Sequence, residues 1–401
     1  MSEVNPSTRR LKVAVLSRSF STRGGGAERY TVAVATELAR THEVHVFAQT
    51  FDAVPGIQIH KVGPVLRRPR WLNQLIYAWQ TARLTRTGFD VVHSHENVWH
   101  ADVHTFHVKS VRGSLLGQRT GWQRVLAWLK VIASPRKLTY LMLETSRCRR
   151  TRMQVAVSSL LAEELRVHYP QTTFQVITPG VDVPSTRMSR AQAQTVLGLT
   201  PDKTWLLLVG NDFKRKGLDA ALAALTQLPI DVHLAVAGNT NQQAAYTVLA
   251  ERQGVARRLH FLGSLRDMSV AYQAAHLLVH PTLEDSFGMV VLEAMAHGLP
   301  VIVSGPAYCG VAAQLVHGER AWLLQDPQDA RELANAIRKV LQKSELLEQS
   351  VQGMEDFFAL NGWQPAAQHY EQLYWQIAAH KTGAELGISP NNSLDTPPEA
   401  K

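Results

Sequence analysis

The sequence predicts an α/β protein built from two Rossmann-like domains. Three features indicate this fold class: apolar runs of strand length recur through the 401 residues, segments with helical periodicity separate them, and a glycine-rich turn follows the first strand. Strands that alternate with helices are typical of parallel sheets covered by helices. The chain is also long enough for two domains of ordinary size.

The first half is predicted to begin with a buried strand, Leu11 to Ser17, a loop ending in Gly24-Gly25-Gly26, and a helix, Ala27 to Arg40. This order brings backbone close to a ligand in Rossmann-like domains, although the same turn also occurs in α/β folds without that role. The loop is not G-x-G-x-x-G, so no dinucleotide cofactor is indicated. The other predictions for this half are strands at Glu43 to Ala48, Phe89 to His93, Val103 to His107, Met153 to Val157 and Phe174 to Ile177, helices at Trp71 to Thr85 and Ser159 to His168, and an irregular stretch from Phe51 to Arg70.

A break at Thr178-Pro179-Gly180 separates this half from a second one with the same rhythm. We predict the boundary within Pro179 to Thr186, which gives domains at residues 1–183 and 184–360. Residues 381–401 are rich in Pro, Asn and Ser and are predicted to form a disordered tail. The second half is predicted to contain strands at Trp205 to Gly210, Val232 to Gly238, His260 to Gly263, Leu277 to Pro281, Val301 to Val303 and Trp322 to Gln325, and helices at Arg215 to Leu228, Met289 to His297, Asp329 to Leu341 and Glu355 to Ala379.

Cysteine and histidine usage argues against a metal protein. Only Cys148 and Cys309 are present, so neither a disulfide framework nor a cysteine zinc site is expected. Five histidines lie between His93 and His107, but their spacing fits no zinc motif. No apolar run approaches the roughly 18–20 residues that span a bilayer, and the N-terminus lacks the apolar region of a secretory signal. These features predict a protein of the reducing cytosol.

Positive charge is concentrated in one part of the chain, residues 61–155, which we call the basic segment. It holds 17 lysines and arginines against 4 acidic residues, whereas the whole chain has a net charge of +9. Such asymmetry predicts a polyanionic partner, either nucleic acid or an acidic membrane surface. The sequence has no RNA-binding signature, so we expect no nucleic-acid partner.

An amphipathic helix is predicted inside the basic segment. Its apolar residues recur at helical spacing, and tryptophan and basic side chains accompany them, a pattern typical of helices in a membrane interface. An ordinary core-facing helix with a solvated basic edge fits the same pattern. The apolar set is Trp122, Val125, Leu126, Leu129 and Ile132, the basic set is Arg112, Arg119, Arg124 and Lys130, and Arg147, Arg149, Arg150 and Arg152 extend the charge.

The stretch from Leu283 to Val303 predicts a loop, a helix, a turn and a strand. Glu284 and Asp285 precede a Ser-Phe-Gly turn, and Glu293 lies inside the helix. A helix N-terminus presents free N–H groups and the positive end of a dipole, which suits an anion. Carboxylates beside it suit a ligand with both hydroxyls and phosphates, such as a nucleotide-sugar. An amphipathic helix capped by Asp285, with Glu293 in solvent, explains the pattern as well.

A second candidate anion site follows the strand from Trp205 to Gly210. Arg215 and Lys216 stand at the predicted start of the next helix, directly before Gly217. A guanidinium and an ammonium at such a position can hold a pyrophosphate. A basic turn in solvent is the alternative.

The acidic stretch resembles the acidic-x7-acidic motif of retaining GT-B glycosyltransferases of family 4. Asp285 and Glu293 stand at the two acidic positions, and Phe287, Gly288 and Ala294 match the pattern between and after them. The family usually has glutamate first, so Glu284 competes with Asp285 as the first working carboxylate. The order Phe-x-Arg-Lys-Gly at residues 213–217 resembles the family's phosphate clamp. The likeness covers nearly the whole chain and is greatest to bacterial enzymes that add a sugar to the lipopolysaccharide core.

The resemblance implies roles for residues at matching positions. His107 ends a Thr-Phe-His triplet that lies beside the donor sugar in the family, and with Asp285 and Glu293 it forms the expected catalytic set. Glu28 follows the glycine loop and is assigned to the acceptor, together with His95 and Asp102 on the loop before the triplet. The expected donor-phosphate ligands are Arg215, Lys216, Gly25, Gly26, Phe287, Gly288 and Met289, the sugar and ribose ligands are Asp285, Glu284 and Glu293, and the nucleobase neighbours are Leu262, Gly263 and Leu265.

The resemblance also implies the architecture and the reaction. Two Rossmann-like domains should face each other across a cleft, and a helix at residues 361–380 should pack back on the first domain. A sugar would move, with retention at the anomeric carbon, from a nucleotide-sugar to a lipid-linked saccharide such as the lipopolysaccharide core, with UDP-glucose as the first candidate donor. Because the clamp can stabilise the leaving pyrophosphate, neither a metal nor another cofactor is expected.

Two alternatives and a location complete these expectations. A mannosyl transfer from a guanosine donor, or another polysaccharide or glycolipid transfer, would use the same fold. A catalytically inactive protein that binds a membrane or a saccharide belongs to another class. The basic segment predicts a peripheral position on the inner face of the cytoplasmic membrane.

Overall fold

The computed structural model describes residues 9–22, 24–66, 68–117, 119–151, 153–342 and 354–383. Within these ranges the chain forms two large parallel sheets flanked by helices, which confirms the predicted α/β class. Most of the predicted disordered tail, residues 384–401, lies outside the described residues. Lys381 and Thr382 belong to the last helix, so the prediction was wrong for these two residues.

The first sheet has the strand order β5-β3-β1-β6-β7-β8-β9, with every neighbouring pair parallel. Strand β2 pairs with β4 in a separate small sheet. The strands of this half are β1 (Lys12–Leu16), β2 (Ser19–Phe20), β3 (Glu43–Ala48), β4 (Thr50–Phe51), β5 (Gln58–Lys61), β6 (Val91–Ser94), β7 (Val103–Phe106), β8 (Met153–Ala156) and β9 (Phe174–Val176).

The second sheet has the order β12-β11-β10-β13-β14-β15 and is also parallel throughout. In each sheet the strand order reverses beside the first strand, between β1 and β6 and between β10 and β13. Ligands of such sheets bind outside the carboxyl ends of the strands at this reversal. The strands are β10 (Thr204–Val209), β11 (Val232–Ala237), β12 (Leu259–Gly263), β13 (Leu277–His280), β14 (Val301–Ser304) and β15 (Trp322–Leu324).

Helices cover both sheets. The helices of the first half of the chain are α1 (Gly26–Leu38), α2 (Arg70–Leu84), α3 (Val111–Leu116), α4 (Gly121–Ile132), α5 (Pro135–Arg150) and α6 (Ser159–His168). Those of the second half are α7 (Arg190–Val196), α8 (Leu218–Leu225), α9 (Gln243–Arg252), α10 (Ser269–Ala274), α11 (Met289–Ala296), α12 (Ala330–Gln342), α13 (Glu355–Leu360) and α14 (Trp363–Thr382).

Two sequence-based predictions of secondary structure were wrong. The stretch from Phe51 to Arg70, predicted to be irregular, contains the end of β4 and the edge strand β5. Only Ile59 of β5 is even partly buried, so the apolar signal of this strand is weak. The helix predicted from Glu355 to Ala379 is divided into α13 and α14 at Gly362. Pro365 sits in the first turn of α14, where its missing N–H costs nothing, but it could not continue a helix from Glu355.

The chain passes from one sheet to the other twice, after β9 and between α13 and α14, and these two connecting segments contact each other. Val181, in the segment after β9, donates its N–H to the carbonyl of Asn361, between α13 and α14, at 2.9 Å. A Cβ on Gly180 would lie 2.3 Å from the backbone of both Gly362 and Trp363. The predicted domain boundary at residues 183–184 falls in the irregular segment that links β9 to α7.

Helix α14 returns to the first sheet and is held there by buried hydroxyl and imidazole groups. The Tyr374 hydroxyl lies 2.6 Å from Nδ1 of His93, whose Nε2 lies 2.8 Å from the Thr105 hydroxyl. The Thr105 oxygen lies 2.7 Å from the hydroxyl of Tyr370, which lies 2.8 Å from that of Tyr30. These five side chains are at most 1% exposed, so α14 belongs to the core built around the first sheet.

We predict that Gly180→Ala lowers the free energy of unfolding by about 2 kcal/mol or more, because the new methyl group meets fixed backbone. The matched control is Gly362→Ala, whose Cβ meets no heavy atom closer than 3.4 Å. The control should cost about 1 kcal/mol or less. Thermal unfolding midpoints measure the difference, and equal midpoints for the two variants would refute the tight crossing.

Stability should fall in mild acid because histidines are buried in neutral form. Burial lowers the pKa of His93 to about 3 and, more than the nearby Arg147 charge, lowers that of His104 well below its usual value. An unfolded histidine takes up a proton near pH ~6.5. Each buried histidine therefore contributes stability above that pH, and the contribution is lost as pH falls toward the folded pKa, by up to about 1.4 kcal/mol per pH unit.

The measurement is the urea midpoint of unfolding across this acid range. His104→Gln removes one titrating group and should flatten the decline, whereas the exposed His369→Gln should not. A stability that does not change between pH ~7 and pH ~4.5 would contradict the buried neutral histidines.

Candidate active site

Loops from the carboxyl ends of both sheets meet between α1 and α11. Arg29 of α1 forms an ion pair with Glu293 of α11 at 2.8 Å. The Ser158 hydroxyl, at the start of α6, donates to the carbonyl of Ser286 at 2.5 Å. A Cβ on Gly26 would lie 3.8 Å from Cγ of Met289. The glycine loop of the first half therefore faces the N-terminus of α11, as the predicted site requires.

Gly288 shapes the N-terminus of α11. Its φ of 101° is in the left-handed region, and a Cβ there would lie 2.7 Å from Sγ of Cys309. Only glycine fits this backbone and this space. Phe287, directly before it, is buried and fixes the loop, while Met289 begins the helix. The first N–H groups of an α-helix have no carbonyl partner within the helix, so those of α11 can accept an anion as ligand.

The first carboxylate in contact with the clamp is Asp285 and not Glu284. One Asp285 oxygen, Oδ2, forms an ion pair with Lys216 and lies 3.2 Å from Nε2 of His280. The Asp285 side chain is 18% exposed, whereas that of Glu284 is 42% exposed and pairs with Lys109 across the cleft at 3.2 Å. Burial alone raises the pKa of Asp285, but the hydrogen bond from His280 and the charge of Lys216 more than offset it, so the pKa lies well below its usual value. Asp285 is therefore ionised at neutral pH.

The two basic residues of the predicted clamp differ in position. Lys216 is 9% exposed, and its stem passes Gly210, where a Cβ would lie 2.4 Å from the Lys216 Cγ. Arg215 is about half exposed and its Nε lies 3.9 Å from Asp212. The helix was predicted to begin at Arg215, but α8 begins at Leu218 because Gly217, with φ of 76°, forms a turn before it. Both cations therefore lie on the turn at the carboxyl end of β10.

Side chains from both halves of the chain hold the Glu293 carboxylate. One oxygen pairs with Arg29 and the other accepts a hydrogen bond from the Tyr272 hydroxyl at 2.6 Å. The side chain is 14% exposed, so the alternative of a fully solvated Glu293 is wrong. Each carboxylate oxygen has two lone-pair positions, which leaves acceptor capacity for a ligand hydroxyl.

His107 and His95 form a pair at the carboxyl ends of β7 and β6. Nδ1 of His95 lies 2.9 Å from Nε2 of His107, and the Tyr30 ring packs edge-on against His107 with centroids 4.9 Å apart. Burial, followed by the nearby Arg147 charge, lowers the pKa of His107 to about 3. Both rings are neutral at physiological pH, so each can both donate and accept a hydrogen bond.

A cavity of about 750 Å³ lies at the point where the first sheet reverses. Its lining includes Gly25, Gly26, Glu28 and His95, four of the predicted site residues. The Glu28 carboxylate accepts a hydrogen bond from the N–H of Gly25, which caps α1 and closes the glycine loop. Such a polar cleft can take a saccharide.

Asp102 does not belong to this group. It lies at the amino end of β7, whereas His95 and His107 lie at the carboxyl ends of their strands. Its carboxylate accepts hydrogen bonds from the Val92 N–H at 2.9 Å and from the Lys381 ammonium at 2.6 Å. Its prediction as an acceptor ligand was wrong because it fastens α14 to the sheet. Arg147 is likewise unavailable to a ligand, since it is 5% exposed and lies over the Phe106 ring.

The residues expected near a nucleobase lie at the carboxyl end of β12. The carbonyl of Gly263 accepts a hydrogen bond from the Gly238 N–H at 2.9 Å, which ties β12 to the end of β11. Leu262 and Leu265 are partly buried against the apolar cluster that includes α11. All three therefore lie along the same edge of the second sheet as Lys216.

One group of potential metal ligands occurs in the described part of the chain. Ligand atoms of His280, Asp285 and Cys309 lie within 4.8 Å of one another. The Lys216 ammonium already donates a hydrogen bond to Oδ2 of Asp285, and the Cys309 thiol donates to the Phe287 carbonyl at 3.3 Å. Burial also raises the pKa of that thiol, which opposes thiolate formation. The donor set fits an ion pair with a buried imidazole better than a metal.

Sequence reasoning missed several members of the site. Arg18, which lines the cavity, pairs with Glu96 at 2.9 Å, and Tyr272 supports Glu293. His280 is the last residue of β13, next to β10. A polar residue that ends an apolar strand could have drawn attention to His280, but Arg18 and Tyr272 had no comparable signal.

Comparison with known proteins agrees with this geometry. Residues 24–184 match the model of Glycosyltransferase Family 4, and residues 189–355 match that of Glycosyl transferases group 1. The lipopolysaccharide glucosyltransferase WaaG of Escherichia coli K12 is 28% identical over 346 residues, which cover 80% of this chain and 87% of WaaG.

Solved structures share the arrangement of the two sheets. The crystal structure of WaaG, a glycosyltransferase involved in lipopolysaccharide biosynthesis, has a TM-score of 0.69 and 25% identity and covers 93% of this chain and 100% of its own. Anabaena HepE in complex with UDP and glucose has a TM-score of 0.67 and 17% identity, with 92% and 100% covered, a likeness of fold alone. The GT-B fold expected from the motifs is confirmed, and this chain belongs to the family 4 GT-B glycosyltransferases.

Proposed function

We propose that this glycosyltransferase moves a sugar, with glucose as the first candidate, from a UDP-sugar to a lipid-linked saccharide such as the lipopolysaccharide core. The observation that carries the proposal is the cluster of Lys216, Asp285 and the α11 N-terminus at the point where the second sheet reverses. The match to WaaG supports the acceptor class and the glucose, and the uridine donor is taken from the family resemblance.

The main chemical task is to stabilise charge on the departing group. As the bond to the sugar breaks, negative charge grows on the pyrophosphate. In the proposed arrangement Lys216, Arg215, the glycine loop at Gly25 and Gly26, and the first N–H groups of α11 receive that charge. Fixed donors in a partly buried cleft act without reorganisation at the moment of reaction. No metal is needed in this proposal, because the cations of the chain supply the charge.

The carboxylates of Asp285 and Glu293 are proposed to bind hydroxyl groups of the donor. Oδ1 of Asp285, the oxygen that does not pair with Lys216, orients the donor sugar. Glu293 accepts hydrogen bonds from the ribose hydroxyls through its remaining lone pairs. His107, neutral and fixed by His95 and Tyr30, contacts a sugar hydroxyl. Retention at the anomeric carbon follows the family resemblance. Leu262, Gly263 and Leu265 border the base.

The acceptor is proposed to enter from the cavity at the first sheet. Its lining offers the Glu28 and Glu96 carboxylates and the Arg18 guanidinium, groups that bind saccharide hydroxyls well. His95 connects this cavity to His107, so the reacting hydroxyl would approach the donor sugar from the side of the first sheet.

The basic segment is proposed to hold the enzyme on an anionic membrane surface. Helix α4 buries only Ala127 and Val131, while Trp122, Leu129 and Ile132 are 70%, 57% and 61% exposed. The core-facing alternative is therefore disfavoured. No helix within the described ranges combines the length and apolar character needed to cross a bilayer. An exposed apolar stripe beside basic side chains fits the interface of a bilayer with anionic lipids, which would place the enzyme on the inner face of the cytoplasmic membrane.

We predict that Lys216→Ala lowers turnover about 100-fold or more, since one donor to developing oxyanion charge is worth roughly that much. Asp285→Asn and Glu293→Gln should also lower turnover strongly. The assay is nucleotide release from UDP-, GDP- and ADP-sugars with a defined lipid-core acceptor. The exposed neighbour Lys214→Ala is the matched control and should retain activity.

Other outcomes favour the alternatives. Turnover with GDP-mannose and not with UDP-sugars would replace the donor, leaving the fold and clamp unchanged. No turnover with any donor, combined with intact membrane or saccharide binding, would indicate an inactive binding protein. Equal activity of the three site variants and the wild type would remove the proposed site.

We predict that Trp122→Ser with Leu129→Ser weakens binding to vesicles of anionic lipid about tenfold, because two exposed apolar side chains no longer insert. The control is Ile230→Ser, which removes an apolar side chain 79% exposed on the second domain. Sedimentation measures binding, and added salt should weaken it. Binding that is indifferent to salt, to anionic lipid and to both substitutions would contradict the proposal.

A further inference from the structure

The two oxygens of Asp285 have unequal surroundings. Oδ2 accepts from the Lys216 ammonium and from Nε2 of His280 at 3.2 Å. Among the described residues, Oδ1 has only a long contact, 3.4 Å, from the N–H of Phe287. Oδ2 is therefore the anchored oxygen, and Oδ1 is the one with lone pairs to offer a ligand.

The two partners of Oδ2 differ in freedom of movement. His280 is 0% exposed at the end of β13, paired in register with Val303, and its carbonyl accepts from the Ser304 hydroxyl at 3.3 Å. Its ring is therefore fully buried on a strand of the sheet. Lys216 stands on a turn and not in a strand, its side chain is 11% exposed, and the base of its stem passes Gly210. The ammonium end of a lysine can swing about its last bonds.

Donor binding sets up a competition for Lys216. In the structure the single charge of Lys216 neutralises Asp285. A pyrophosphate brings more negative charge and several acceptor oxygens to the same turn, so it draws the ammonium away. Asp285 would then stand partly buried without a partner, which is costly, unless another group holds it. His280 is the group already in place.

We propose that His280 is a positioning residue of the donor site, holding the Asp285 carboxylate at the cleft while Lys216 exchanges Asp285 for the pyrophosphate of the donor. This inference rests on the proposed function, because it takes Lys216 as the pyrophosphate ligand. The exchange changes hydrogen-bond partners and makes or breaks no covalent bond. It keeps Oδ1 aimed at the donor sugar.

The same exchange affects protonation. A carboxylate only accepts, so Nε2 of His280 carries a hydrogen and Nδ1 does not, and Nδ1 is buried without a partner among the described residues. Burial lowers the pKa of His280, the hydrogen bond to Asp285 raises it, and the charge of Lys216 lowers it. Removal of Lys216 and arrival of a diphosphate both raise this pKa, so donor binding in mild acid is accompanied by proton uptake. The other ionisable groups that face His280 are Arg215 and the neutral thiol of Cys309.

Two substitutions test the positioning role. In His280→Gln the side-chain amide reaches about as far as Nε2, whereas in His280→Asn it reaches only to the place of Nδ1. We expect kcat with UDP-glucose to fall about 30-fold in His280→Asn and less than about threefold in His280→Gln. The Kd for UDP, which lacks the sugar that Asp285 orients, should change less than about threefold in both. His233→Gln, in the same sheet and outside the cluster, is the matched control.

Calorimetry supplies a second reading. UDP-glucose has no phosphate proton to lose near pH 6, so its binding in buffers of different ionisation enthalpy reports the protein's protons. Wild type and the His233→Gln control should take up protons at about pH 6 and far fewer at about pH 8, whereas His280→Gln should take up far fewer at both pH values.

Several results would overturn the inference. Wild-type kinetics in both His280 variants would show that Asp285 needs no such partner. Loss of UDP binding in parallel with kcat would indicate a merely structural role. The Lys216→Ala variant separates this inference from the proposed function: if it keeps both UDP binding and turnover, the donor site itself is wrong. If it loses both while the His280 variants behave as wild type, only the inference fails.

Discussion

The ion pair between Arg29 and Glu293 joins the helix that follows the first strand of one sheet to the helix that follows the acidic loop of the other. Because each helix starts at the carboxyl edge of its sheet, this contact turns the two edges toward each other. The Glu293 side chain is 14% exposed and is also bonded to Tyr272, so the pair is sheltered from screening more than a surface pair. The cleft, and every role assigned within it, depends on this meeting of α1 and α11.

Close backbone approaches keep the meeting tight. Gly310 would collide with the carbonyl of Ser286 and the hydroxyl of Ser158 if it had a side chain. Gly217 would collide with the carbonyl of Pro281, which brings the Lys216 turn against the end of β13. Protein interiors are packed too densely to absorb such clashes cheaply. Glycine at these positions therefore lets a cation, a carboxylate and an imidazole occupy one small volume.

The fold class could be predicted from the sequence because buried parallel strands are continuous apolar runs. The same reasoning missed β5, where an edge strand buries little, and the break at Gly362, where helical periodicity continues across a backbone contact with Val181. Tertiary contacts decide such cases, and a single sequence does not contain them.

Site residues were predictable where a local motif carries the chemistry and not where topology does. Asp285, Lys216 and Glu293 stand in recognisable patterns and do approach one cleft. Asp102 is only five positions from His107, yet β7 separates them by roughly 15 Å, since a strand rises about 3.3 Å per residue. His280 was overlooked for the opposite reason, because a lone histidine gains meaning only when β13 is known to lie beside β10.

The most direct measurement is an experimental structure with intact UDP-glucose or a non-hydrolysable analogue in the cleft. The account predicts that the diphosphate lies between Lys216 and the first N–H groups of α11, with the glucose hydroxyls near Asp285 and His107 and the ribose at Glu293. A nucleotide bound elsewhere on the second sheet, with Lys216 still paired to Asp285, would contradict it.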